Sequence, residues 1–187
     1  MRVSSGSARG LRLKVPRVGV RPTMERVKGA IFSSLHDVIP GARVLDLFAG
    51  SGSLGIEALS RGAASVVFVE NDQPAVAVIR ENLAKARLSG EIHALDVFSY
   101  LDRIAPAGSF DLIIADPPYA KAPGERDFGA ELLGNVALIR ALTPNGIFVL
   151  EHLPDVAVKT PATLECFRDK NYGATAVAFF RRAEPSP

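Results

Sequence analysis

The run Phe110-Asp111-Leu112-Ile113-Ile114-Ala115-Asp116-Pro117-Pro118-Tyr119 leaves the chain few ways to fold. Its apolar half suits a central strand covered on both faces, because a strand with one wet face would alternate polar and apolar residues. Pro117 and Pro118 then stop the ladder, since each has φ fixed at about −65° and no N–H to donate. A residue that precedes proline is pushed out of the helical region, so Asp116 and Pro117 should be extended. The strand therefore ends in a stiff turn. It presents the Asp116 carboxylate, backbone carbonyls and the Tyr119 ring at the carboxyl edge of a sheet.

The surrounding sequence supplies that sheet. Strands are expected over Arg43 to Phe48, Ser65 to Glu70, Glu91 to Leu95, Phe110 to Ala115 and Gly146 to Glu151. Helical patterns separate them over Ser53 to Arg61, Pro74 to Leu88 and Phe128 to Leu142. In the second of these, Val76, Ile79, Leu83 and Ala86 form an apolar stripe, Pro74 suits the first turn and Asp72 is the expected cap. Strand and helix in alternation imply a mostly parallel sheet with helices on both faces. Thr163 to Arg168 and Ala174 to Arg182 are separated only by a short turn near Lys170 to Gly173, which requires an antiparallel hairpin at the sheet edge. The expected fold is thus a seven-stranded, Rossmann-like α/β sheet.

Before the first strand the character changes. Leu11, Leu13 and Val15 fall two apart among scattered glycines, as in a small β-ribbon that would place Arg12 and Lys14 on the opposite face. Such a ribbon is marginal alone in water, so it should dock on the body or order on a ligand. Thr23 is a suitable cap for a helix in which Met24, Val27, Ile31, Leu35 and Ile39 share a face, and Pro40-Gly41 ends it. Residues 1 to 30 carry a charge of +7 and the remainder −5, so the net +2 conceals a basic arm on an acidic body. That arrangement fits a polyanionic partner or a solvated tail. We divide the chain into a basic extension, 1–22, and a main domain, 23–187.

The length of 187 residues allows one sizeable core. A single cysteine, Cys166, offers no internal disulfide and is expected as a small buried side chain in an edge strand; a cytoplasmic protein is expected. No apolar run approaches a membrane span. His36, His93 and His152 have no partner at metal-ligand spacing, so no metal is expected.

The first βα turn, Asp46-Leu47-Phe48-Ala49-Gly50-Ser51-Gly52-Ser53-Leu54-Gly55, contains G-x-G-x-x-G between a strand and a helix. The glycines let backbone approach a ligand and let helix pack on strand. Glu70 stands twenty residues after Gly50, where a carboxylate suits ribose hydroxyls. Nicotinamide and S-adenosylmethionine sites share this spacing. Asp46 would repel a pyrophosphate but suits a ligand with an amino group and a sulfonium, while the helix N-terminus receives that ligand's carboxylate. Asp96, with Val97 and Phe98 beside it, is either placed for a nucleobase amino group or the cap of a helix over Val97 to Ile104.

A planar amide or aminopurine could stack on Tyr119 and give both amino hydrogens to Asp116 and the Pro117 carbonyl. An amino nitrogen conjugated to a ring is a poor nucleophile. Two acceptors that hold its protons favour the pyramidal nitrogen and aim the lone pair at an electrophilic carbon. The turn alone does not choose between adenine and guanine.

The combination of Asp46 to Gly52, Glu70-Asn71, Asp96 and Asp116 to Tyr119 resembles class I S-adenosylmethionine-dependent amino-methyltransferases. Arg9-Gly10 in a basic ribbon, then Arg21-Pro22-Thr23, Arg26-Val27 and Ile31-Phe32, narrows the resemblance to bacterial 16S ribosomal RNA guanine-N2 methyltransferases of the RsmD type. The resemblance covers roughly residues 1 to 150. It implies a cofactor, S-adenosyl-L-methionine, held by Asp46, Phe48, Gly50, Gly52, Glu70, Asn71, Asp96 and Val97. It implies a guanine held by Asp116, Pro117 and Tyr119, and small-subunit rRNA, free or in a protein-bound 30S particle, gripped by Arg9, Arg12, Lys14, Arg17, Arg21 and Arg26. A monomer is expected. The same turn would also serve a DNA adenine-N6 or protein glutamine-N5 methyltransferase; 187 residues leave little room for a DNA-recognition domain, and the basic arm counts against a protein substrate. A catalytically silent RNA-binding assembly factor is the rival from another class, and a nicotinamide oxidoreductase would leave Asp46 and the double-proline turn unexplained.

Overall fold

Seven strands form one sheet in the order β3-β2-β1-β4-β5-β7-β6. The computed structural model describes residues 1–15, 22–120, 122, 124–154, 156 and 158–183, with residues 22–24 described in backbone only. The strands are β1 (Arg43–Leu47), β2 (Ser65–Val69), β3 (Glu91–His93), β4 (Phe110–Ala115), β5 (Leu142–His152), β6 (Leu164–Asn171) and β7 (Ala176–Arg182). The first five pair in parallel and β7 runs antiparallel to both β5 and β6. β4 is the middle strand, as its unbroken apolar run requires, and Leu112 to Ala115 are buried.

The helices are α1 (Pro22–Ser34), α2 (Ser53–Ser60), α3 (Gln73–Ala86), α4 (Val97–Arg103), α5 (Phe128–Gly134) and α6 (Val136–Ala141). One apolar cluster joins α1, α2 and α3 to one face of the sheet through Ile31, Phe32, Ile56, Ile79, Val44 and Ile114. The other joins α4, α5 and α6 to the opposite face through Tyr100, Leu101, Leu132, Leu138, Leu45 and Ile113. Asp72 caps α3 by accepting from the Ala75 N–H at 3.0 Å, as expected.

Several elements depart from the sequence reading. The helix expected over Phe128 to Leu142 is two helices, because Asn135 ends α5 and its side chain caps α6 by accepting from the Leu138 N–H at 2.8 Å. α1 stops at Ser34, yet Leu35 and Ile39 are still buried by the turns that follow. The helix already includes Pro22, so Thr23, expected as its cap, stands inside it; the side chains of Thr23 and Met24 are not described. The C-terminal hairpin lies at the sheet edge as expected, but β6, the outermost strand, runs on to Asn171 and β7 starts only at Ala176. Cys166 is exposed rather than buried, because β6 is the edge strand and all of its residues after Leu164 are exposed.

The expected ribbon is reduced to one antiparallel bridge, Arg2 with Arg12, closed by bonds from Val3 N–H to Leu11 O at 2.9 Å and Gly10 N–H to Val3 O at 2.8 Å. It is docked. Val3 and Leu13 are 0% and 5% exposed and belong to the α1–α2–α3 core. Glu57 on α2 accepts from the Ser4 and Ser5 N–H groups at 2.8 and 3.1 Å and from the Ser4 hydroxyl at 2.6 Å, while Lys28 on α1 gives a 3.1 Å ion pair to Glu57 and donates to Arg2 O at 2.6 Å. Gly6 has φ +81° and sits where a Cβ would lie 1.6 Å from Ser60 O. No side chain fits there.

Candidate active site

Strand register lines up the carboxyl edge of the sheet. Leu47 pairs with Val69 and with Ala115, and Ala115 pairs with Leu150. The next residue on each strand is Phe48, Glu70, Asp116 and Glu151, which therefore stand side by side across four strands. Asp116 lines two openings. The larger, about 450 Å³, is also lined by Phe48, Glu70, Asn71, Asp96, Val97, Pro117, Pro118, Tyr119, Arg126 and Phe128. The smaller, about 110 Å³, brings Asp116 and Glu151 to Gly50, Ser51, Ser53 and Lys28.

The turn between β1 and α2 is shaped by left-handed backbone. Phe48, Gly50 and Gly52 have φ of 56°, 54° and 73°. For Phe48 that conformation costs roughly 1–2 kcal/mol, and strain of this kind persists where the surroundings over-determine it. Here Phe48 lies between the two openings, edge-on to Phe128 at 5.4 Å. A Cβ on Gly55 would lie 2.3 Å from Phe68 Cε1, so this glycine lets α2 close onto β2.

The acidic residues divide by role. Glu70 accepts from the Gly50 and Asp72 N–H groups at 2.8 and 2.9 Å, which fixes it between the glycine turn and α3. Asp46 is 1% exposed, lies behind the turn rather than in either opening, and accepts from the Gly55 N–H at 2.8 Å. Burial pushes its carboxyl up to about 8 against that bond, and the charges of Asp116 and Glu70 add to the rise. Asp96 is the expected cap of α4, accepting from the Ser99 N–H at 3.0 Å, and it also lines the larger opening.

Asp116 accepts no hydrogen bond from any described residue, and burial followed by the Glu151 charge pushes it up to about 7. Such a carboxyl at a cavity edge is a candidate functional group. Tyr119 is held by its hydroxyl, 3.1 Å from Glu151 Oε1 and 2.8 Å from Thr175 Oγ1. Thr175 Oγ1 lies 2.9 Å from the same Oε1 and 3.1 Å from His152 O. Burial raises the Glu151 carboxyl while these hydroxyls and His152 act to lower it. Opposite stands Arg126, its guanidinium 4.8 and 4.6 Å from the Phe98 and Phe128 ring centres and paired to Glu131 at 2.7 Å.

Of the basic residues expected to meet RNA, Arg9, Arg12, Lys14 and Arg26 are exposed, and Lys14 pairs with Glu81 at 2.7 Å. Arg17 and Arg21 lie outside the described residues. The arm reaches the glycine turn through one buried side chain: Asn82 Nδ2 donates to Lys14 O at 2.8 Å and to Ser51 O at 2.9 Å. Among the described residues no cluster of three His, Cys, Asp or Glu side chains could hold a metal ion, and no helix is long and apolar enough to cross a membrane.

A family profile described as "Conserved hypothetical protein 95" matches residues 1–181. The chain belongs to this family, the RsmD family. Within it the chain is 37% identical over 187 residues to YlbH of Bacillus subtilis, covering 97% of this chain and 99% of the relative. It is 32% identical over 185 residues to ribosomal RNA small subunit methyltransferase D of Haemophilus influenzae, covering 97% and 93%. The solved structure of yhhF from Escherichia coli superposes with a TM-score of 0.79 at 29% identity over 99% of each chain. The fold is accordingly the Rossmann-like fold of class I methyltransferases.

Several residues that shape this RsmD-family site carry no local sequence signal. Glu151 lies near the end of an ordinary apolar strand, Thr175 lies in the hairpin turn, and Arg126 and Phe128 follow a loop with one glycine, Gly124. Only register and packing bring them in. Glu151 alone had a faint cue, as the acidic residue near the end of a strand adjacent to β4.

Proposed function

We propose that the protein transfers a methyl group from S-adenosyl-L-methionine to the exocyclic N2 of a guanine in small-subunit ribosomal RNA. The observation that carries this reading is the Asp116 carboxyl, which accepts no hydrogen bond from the described residues and is set at the edge of both openings beside the glycine turn. The relatives named as ribosomal RNA small subunit methyltransferase D support RNA as substrate. A cavity of about 450 Å³ is within the range of small-molecule sites, and its lining matches this cofactor: acidic Glu70 and Asp96 with apolar Val97 and Phe128.

When bound, S-adenosylmethionine would supply an electrophilic methyl group. Glu70 would hold its ribose hydroxyls, Asp96 and Val97 its base, and the α2 N-terminus behind Gly50 and Gly52 its carboxylate. Asn71 and Phe48 would complete the wall. Asp46 would act from behind by holding Gly55 and thus the turn. Tyr119 offers a ring on which a flipped guanine stacks, and its hydroxyl bonds keep that ring from turning. Asp116 and the Pro117 carbonyl accept the two amino hydrogens, which localises the nitrogen lone pair and directs it at the methyl carbon. One amino proton leaves through Asp116 after transfer. The basic extension, residues 1–22, with Arg26 would grip RNA phosphates. A cytoplasmic monomer acting on rRNA, free or in a 30S particle, fits this reading.

Asp116→Ala tests it. The carboxyl is costly to bury, so the variant should fold and bind S-adenosylmethionine within a few-fold of wild type by calorimetry. Methyl transfer should fall by roughly 100-fold or more. Mass spectrometry of rRNA nucleosides should show N2-methylguanosine formed at one site by the wild-type protein and not by the variant. An active Asp116→Ala protein would remove Asp116 from the chemistry.

A further inference from the structure

Glu151 stands next to Asp116 in strand register and shares the smaller opening with it. Its Oε1 is occupied by the Tyr119 and Thr175 hydroxyls. Its Oε2 has no hydrogen-bond partner among the described residues and is not one of the fully buried atoms left without one, so solvent reaches it. Two carboxyl groups with open oxygens thus stand side by side, one of them held by the Tyr119 hydroxyl. A carboxylate only accepts hydrogen bonds. Guanine presents two donors side by side, N1–H and the N2 amino group, whereas adenine sets its amino donor beside an N1 lone pair, which a carboxylate repels.

Resting on the reading above, we propose that Glu151 selects guanine by accepting the ring N1–H through Oε2 while Asp116 accepts from the neighbouring amino group. The Tyr119 and Thr175 hydroxyls hold Oε1 and so fix the direction of Oε2. This makes one carboxylate serve both the stacking ring and the base edge. Asp116 and Pro117 alone would take the amino group of either purine.

The experiment first maps the methylated guanosine by mass spectrometry, then places 2-aminopurine at that position in the RNA. This base keeps the 2-amino group but carries a lone pair on N1. Wild type should prefer guanosine over 2-aminopurine in kcat/KM by roughly 10- to 100-fold, the effect of one charge-assisted hydrogen bond. Glu151→Gln, whose amide can donate to N1, should reduce that preference to a few-fold or invert it. Thr175→Val keeps the carboxylate and should retain the preference even if its rate falls. An unchanged ratio in Glu151→Gln, or a wild type indifferent to the two bases, overturns the assignment of Glu151 alone. Failure of wild type to methylate any guanosine overturns the proposed function and this inference with it.

Discussion

At the scale of single residues the site is a balance of buried carboxyls. Asp116 is pushed up to about 7 by burial and then by the Glu151 charge, yet it can accept an amino hydrogen fully only as the carboxylate. The sign follows directly: kcat/KM should rise with pH through about 7 and level off above it, falling about tenfold per unit on the acid side. Removing the neighbouring charge in Glu151→Gln lowers the Asp116 pKa, so the inflection should move to lower pH. A pH–rate profile of both proteins checks this, and an inflection unmoved by the substitution would dissociate the two carboxyls. The acid-side loss is not loss of fold through this group. A carboxyl raised from 3.8 to about 7 contributes stability that is fully present below 3.8 and disappears as pH rises through 7. Asp116 and Tyr119 were legible in sequence because prolines announce them. Glu151 was not, because an acidic residue after an apolar strand means little until register sets it beside another.

At the scale of elements, the basic arm is fastened to α1 and α2 by a buried charge cluster rather than by ribbon pairing. Burial pulls the Lys28 ammonium down even beside Glu57. Burial would also raise Glu57, but the Ser4 and Arg61 bonds and the Lys28 charge outweigh it and hold the carboxyl below its ordinary range. Each member depends on the other. Glu57→Ala leaves a buried ammonium and two N–H groups without their acceptor, and should cost about 3–5 kcal/mol in denaturant unfolding. It should also open the 1–15 segment to trypsin at Arg2, Arg9 and Arg12. The double variant Lys28→Met, Glu57→Leu removes both charges and should recover part of the stability, though not the arm's protection, since Ser4 and Ser5 still lack their acceptor. Equal stability of Glu57→Ala and wild type would make the cluster incidental. The alternation of the main sheet was legible because a period of two and a period of 3.6 differ over every window. The arm's docking was not, because it depends on Glu57, an acidic residue inside a helix pattern that reads as solvent-facing.

At the scale of the molecule, the charge asymmetry acquires a geometry. Two described residues of the arm come to the glycine turn, Met1 lining the smaller opening and Lys14 joined to Ser51 by Asn82. The basic arm thus approaches the acidic edge of Glu70, Asp96, Asp116 and Glu151 at Met1 and Lys14, while its tip packs on the far end of α2 through Ser7 N–H to Ser60 O. An RNA bound along the arm would bring a flipped base to Tyr119 without backbone phosphates having to approach those carboxylates. The sequence showed the basic block and the reaction edge separately, but their adjacency arises from packing of Val3 and Leu13 into the core under α1 to α3. Arg9, Arg12 and Arg26 are the exposed cations to remove, since Lys14 is already paired with Glu81. If each neutralises one phosphate, the triple alanine variant should reduce the slope of log affinity against log salt by about 2, at about 0.7 per phosphate on single-stranded RNA. Binding should weaken most at low salt, and the two proteins should converge as salt rises. Transfer at saturating RNA should survive, because the carboxyl edge is untouched. Filter binding across a salt series measures the slope, and a slope equal to that of wild type would mean the RNA lies elsewhere on the surface.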